Sequence, residues 1–106
     1  MTRAEILQKA NEIVNGQRQQ DYGQPEDNFG QIARLWEAYI GIEFTSVDVA
    51  MMMALLKIAR IASGHATEDS FIDLAGYAAC GGEIHGIYAA RQECCEDCCP
   101  IHAENT

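Results

Sequence analysis

Residues 45–64 read TSVDVAMMMALLKIARIASG, and this stretch decides the fold. Thr45 or Ser46 offers a side-chain oxygen to cap a helix, and between Val47 and Ile61 only Asp48, Lys57 and Arg60 interrupt an apolar run. A helix with so little polar face is expected at the centre of an all-α domain, its three methionines, Met51 to Met53, inside the core. Ser63 and Gly64 close it.

Working outward, the next helix opens at Thr67 or Glu68 and runs to about Gln92, with Phe71, Ile72, Leu74, Ala75, Ile84, Ile87 and Tyr88 apolar. Its second half carries Ala78, Gly82, Gly86 and Ala90 at steps of four, a row of small residues that allows another backbone to come close. That backbone belongs either to an internal helix crossing or to a second copy of the chain. Upstream, Pro25, Glu26 and Asp27 suit the first turn of a helix in which Phe29, Ile32, Ala33, Trp36 and Ile40 form a stripe ended by Gly41. Thr2 and Glu5 have the form of a capping box, and Ile6, Leu7, Ala10, Ile13 and Val14 recur with helical spacing as far as Asn15 and Gly16. Gln17 to Gln24 shows no periodicity and reads as a polar connection closed by a turn. The expected architecture is a four-helix bundle-like domain over residues 1–92, followed by an acidic, cysteine-rich tail over 93–106.

Composition narrows the classes of function. A chain of 106 residues with 48 % hydrophobic content supports one core. Sixteen acids against seven bases give a formal charge of −9, which repels phosphate backbones and anionic membranes and so argues against nucleic acid and membrane as partners. No apolar run approaches the length needed to span a bilayer, and the polar N-terminal residues do not read as a secretory leader, so the cytoplasm is the expected location. Cys94, Cys95, Cys98 and Cys99 crowd near the end, where bridges would close loops too small to stabilise the fold. Four thiolates from so short a run also make a poor zinc cage, even with His102 nearby. Cys80 is expected in the core, His65 in solvent and His85 at an interface.

With bases so scarce, those placed within the helical hairpin carry information. Asp69, Asp73 and Tyr77 line one side of the last helix at four-residue steps, and Lys57 and Arg60 sit a turn apart near the end of the helix before it. Antiparallel packing of the two helices brings these groups together, with Asp48 toward the other end. Such a cluster is either an ion-pair network that holds register or a polar pocket for a phosphorylated ligand, with cations for phosphate and aromatic rings for stacking. Arg18 and Tyr22, in the stretch joining the first two helices, are candidates for the same pocket.

The segments Tyr22-Gly23, Pro25 to Phe29, Ile32-Ala33 and Leu35-Trp36 resemble those of small helical proteins encoded by bacteriophages, as do Asp48-Val49-Ala50, Met52, Lys57 to Arg60, Asp69-Ser70 and Asp73 to Ala78. More distantly, the last two helices are similar to MazG-like all-α nucleoside triphosphate pyrophosphohydrolases, which are oligomers that hold magnesium with carboxylates from two adjacent helices. That resemblance implies a homo-oligomer with Asp48, Asp69 and Asp73 as metal ligands, Asp48 and Asp73 being catalytic if the protein is an enzyme. Met51 and Ser70 stand where the family's second carboxylates would be, so a two-metal site is poorly supplied.

The expected function is therefore capture of a phosphorylated nucleotide, linear or cyclic, without turnover, as a counter-defence sponge of a phage. Arg18, Tyr22, Lys57, Arg60, Asp69, Asp73 and Tyr77 are the candidate ligand contacts. A magnesium-dependent pyrophosphohydrolase is the first alternative. An acidic inhibitor that binds a host defence enzyme is the second.

Overall fold

The computed structural model describes residues 1–92, in which five helices follow one another: α1 (Arg3–Asn15), α2 (Gln17–Tyr22), α3 (Pro25–Ile40), α4 (Ser46–Ala62) and α5 (Glu68–Gln92). No strand occurs among the described residues. The cysteine cluster, its zinc question and the tail 93–106 lie outside them.

The four long helices start and stop where local chemistry directs. Thr2 and Glu5 complete a capping box at α1, and Thr45 and Asp48 complete another at α4, each pair satisfying two backbone N–H groups that a helix end leaves open. Pro25 occupies the first turn of α3, and Gly41 ends that helix in the left-handed region at φ 85°, where a side chain would be strained.

One expectation is corrected. Gln17 to Tyr22 is not a plain connection but the helix α2, terminated by Gly23. Six polar residues are too few for an apolar period to register, and so short a helix takes its stability from packing rather than propensity.

The hairpin of α4 and α5 is antiparallel, as three meetings along it show. Lys57 pairs with Asp73, Ala50 and Met51 abut Gly81, and Ser46 bonds to Tyr88. Gly81 lets the helices approach closely, since a Cβ there would lie 3.1 Å from Ala50 Cβ and 2.9 Å from Met51 Cε. On another side of α5, Gly76 plays the same part for α1, with Val14 Cγ1 only 3.1 Å from a Cβ built on it. The core is the cluster of Phe29, Ala33, Val49, Ala50, Cys80 and Ile84, where α3, α4 and α5 converge. Trp36 is half-buried and meets Phe44 edge-on at 6.0 Å. The buried Ser46 hydroxyl donates to Glu26 O at 3.4 Å and accepts from Tyr88 Oη at 3.1 Å, so a polar group of α4 inside the bundle is satisfied by α3 and α5 together.

Helix α4 packs against both α3 and α5, but it is not enclosed. Val49, Ala50 and Ala54 are buried, whereas Met51, Met52, Leu55, Leu56 and Ile58 are exposed, so two of the three methionines expected in the core stand on the surface. The row of small residues on α5 is not an internal crossing either: nothing lies within 4 Å of a Cβ built at Gly82 or Gly86. The crossing uses Gly81, one residue out of that row. No helix among the described residues is long and apolar enough to cross a membrane.

Candidate functional site

Two features of the chain converge on one region of α5. Gly76 lets α1 press close, and α2, held by the turn at Gly23, lays Arg18 across the same stretch. The Arg18 guanidinium carbon stands 5.8 Å from the centre of the Tyr77 ring, a cation over an aromatic face. Behind Tyr77 the Phe29 ring sits at 6.1 Å, tilted by 35°, so the phenol is wedged between α2 and α3. One turn earlier on α5, Asp73 Oδ2 lies 3.1 Å from Lys57 Nζ, both side chains being largely withdrawn from solvent.

These groups border a cleft bounded by α1, α2 and α5. Arg18, Phe29, Asp73, Tyr77 and Cys80 line its tight inner part, over a floor of Ala10, Val14 and Gly76. Sharing that floor is a wider depression of about 190 Å³, rimmed by the amides of Asn11, Asn15, Gln19 and Gln24 and by Glu83. A third recess, lined by Arg18, Tyr22, Gly23 and Asn28, continues from the inner part toward the α2–α3 turn. The arrangement offers one cation, one aromatic face, one paired carboxylate and several amides that both donate and accept hydrogen bonds. Burial pushes the Cys80 thiol above its ordinary pKa, with Glu83 adding to the rise and Arg18 opposing it.

Of the residues expected from sequence, Arg18, Asp73 and Tyr77 meet in this cleft, and Lys57 reaches it through Asp73. Tyr22 is at its edge and mostly exposed. Arg60 and Asp69 are exposed, and neither lines the cleft. Asp48 is engaged at the N-terminus of α4, where its carboxylate accepts from the Thr45 backbone N–H at 2.9 Å. Among the described residues no three His, Cys, Asp or Glu side chains are grouped to hold a metal ion, so Asp48, Asp69 and Asp73 do not form a joint donor set. His65 is exposed beside Ser63 at 3.3 Å, and His85 is exposed. Sequence reasoning missed the amide rim from α1 and the part taken by Gly76. The only available signal was that Asn11 and Asn15 share one face of α1 at a spacing of four, which alone reads as a solvated surface.

Residues 5–85 match the family model described as Domain of unknown function (DUF6378), and the chain belongs to that family. It is 55 % identical over 74 residues to the Gene 55 protein of Mycobacterium phage L5, covering 69 % of this chain and 47 % of the relative. To the Gene 55 protein of Mycobacterium phage D29 it is 42 % identical over 80 residues, covering 76 % of this chain and 53 % of that one. The chain thus spans about half the length of the curated relatives it matches, and the family is one encoded by bacteriophages. No solved structure matches it.

Proposed function

We propose that this DUF6378 chain sequesters a phosphorylated nucleotide, linear or cyclic, in the cleft between α1, α2 and α5, without turning it over. The observation that carries the reading is Arg18 held across the Tyr77 ring at the inner end of a cleft whose outer rim is made of amides. A guanidinium supplies the planar donor fork that phosphate oxygens take, and the Tyr77 ring beneath it, backed by Phe29, holds that fork in place. Asparagine and glutamine amides match the mixed donors and acceptors of a base edge. A ribose hydroxyl donates to Asp73, whose charge Lys57 already balances.

Binding is favoured over turnover because the three carboxylates expected to hold magnesium are dispersed, one at a helix cap and one in an ion pair. The scaffold in this reading is MazG-like only in its hairpin of two long helices, whose carboxylates are taken up by a helix cap and an ion pair. Its role is that of a phage sponge acting in the host cytoplasm, where sequestration of a nucleotide signal needs affinity and not catalysis.

Titration calorimetry of the full chain against linear and cyclic nucleotides tests the proposal, with chromatography of the recovered ligand. Saturable binding with the ligand intact after incubation with magnesium supports it. Absence of heat for every nucleotide at high protein concentration removes it, and magnesium-dependent release of pyrophosphate replaces it with the hydrolase.

A further inference from the structure

The cleft between α1, α2 and α5 is poor in positive charge. Of the seven lysines and arginines in the chain, Arg18 alone lines it among the described residues. Lys57 reaches it only through Asp73, 3.1 Å away, and those two charges cancel. Glu83 is exposed on the rim of the wider depression. Its charge and that of Arg18 meet at one point, the buried Cys80, which borders all three recesses. Burial raises the pKa of that thiol, Glu83 raises it further, and Arg18 opposes them. With its charges matched in this way the cleft is close to neutral, in a chain whose total is −9.

Space is limited as well. The wider depression holds about 190 Å³, and the two recesses beside it add about 20 Å³ and about 10 Å³. Pockets that enclose drug-sized ligands run to roughly 300–1,000 Å³, so a second nucleoside finds no room here. Leu7, Val14 and Pro25 give the depression apolar walls for one base. Arg18 lines the inner part and not the depression, so base and phosphate take different ends of the cleft.

We infer that the ligand is a phosphodiester of a single nucleoside, a 3′,5′- or 2′,3′-cyclic phosphate bearing one negative charge on Arg18, and that nucleoside mono- and triphosphates are discriminated against. The inference rests on the sequestration reading above and narrows its ligand. A diester brings one charge for the one guanidinium. A monoester carries about 1.5 to 2 negative charges at neutral pH, and a triphosphate carries more. Each extra charge meets no second cation in the cleft and is repelled by Glu83. Closing the phosphate onto its own ribose makes the diester without adding a nucleoside. It also leaves one ribose hydroxyl, at O2′ or O5′, to donate to Asp73.

Titration calorimetry on the full chain tests this with one nucleoside in five forms: 3′,5′-cyclic, 2′,3′-cyclic, 5′-monophosphate, 5′-monophosphate methyl ester and 5′-triphosphate. The better cyclic form is expected to bind roughly tenfold tighter or more than the 5′-monophosphate, and roughly a hundredfold tighter or more than the triphosphate. The methyl ester, a diester without the ring, should bind more tightly than the monophosphate. Glu83→Gln is expected to narrow the gap between triphosphate and cyclic form about threefold or more, while Glu37→Gln, an exposed acid on α3 outside the cleft, leaves that gap as it is. A monophosphate or triphosphate that binds as tightly as the cyclic forms overturns the inference and leaves sequestration standing. A cyclic dinucleotide that binds more tightly than every mononucleotide also overturns it, by placing a second nucleoside in the cleft. Absence of heat for every form of every nucleoside removes both.

Discussion

Lys57 on α4 and Asp73 on α5 form a partly sheltered ion pair at 3.1 Å, with side-chain exposures of 14 % and 28 %. The pair lies near the closed end of the hairpin, so it fixes the register of the two helices and neutralises the carboxylate that borders the cleft. Sheltering strengthens the attraction but also taxes each charge left alone.

Removal of one partner should therefore matter more than removal of both. Lys57→Met or Asp73→Leu alone is expected to lower stability by about 1–2 kcal/mol, between the values for exposed and buried pairs. The double variant should recover part of the loss. Urea unfolding of the four proteins of the cycle measures it, and strict additivity would show that the pair contributes nothing.

Adjacent glycines on α5 should respond with opposite signs. Gly81→Val drives a branched side chain into Ala50 and is expected to lower stability by roughly 2 kcal/mol or more. Gly82→Ala meets open space and removes a helix-breaking residue, so it should raise stability by up to about 1 kcal/mol. Thermal melts at one protein concentration compare the two.

Nucleotide affinity should depend on Arg18 and Tyr77 and not on Arg60. Arg18→Ala and Tyr77→Leu are each expected to weaken binding at least tenfold in calorimetry with helical content retained. Arg60→Ala should leave affinity within twofold, since it lies outside the cleft.

The Cys80 thiol should be slow to react. Its folded-state pKa is raised above the ordinary 9.0 by burial first and Glu83 second. The stability linked to it is present below pH 9.0 and declines as pH rises beyond that value. Alkylation of the Cys80 peptide at mildly alkaline pH, followed by mass spectrometry, should run at least tenfold slower in the native protein than in denaturant.

At the start of α1 the sign reverses. Hydrogen bonds from the Thr2 backbone and hydroxyl hold the Glu5 carboxyl below its ordinary 4.5. The contribution of this cap is complete above pH 4.5 and is lost as pH falls through the lower folded value. Glu5→Gln should flatten that dependence in hydrogen exchange of the first turn of α1.

Part of the candidate site was legible because helical spacing places residues on a face. Asp73 and Tyr77 share a side of α5 by their separation of four, and antiparallel packing across a short connection brings Lys57 to them. The same logic proposed Arg60 and Asp69, and there it failed. They are three residues from Lys57 and four from Asp73, which permits either the interface or its solvent flank, and the rotation of each helix decides between them. Arg18 was identified as a base in an acidic chain, but its placement over Tyr77 needs α2, whose six polar residues carry no period.

The limits of the four long helices followed from the order of residues alone, because capping oxygens, Pro25, Gly41 and Gly64 act within a turn of where they stand. Which face each helix shows was settled only in three dimensions. Gly76 and Gly81 are the points where other helices come close, and those contacts rotate α4 and α5 so that Met51, Leu55 and Gly82 look outward. A helix rich in apolar residues on every side has no intrinsic inside. Its neighbours, and the backbone approach they achieve, determine which residues are covered.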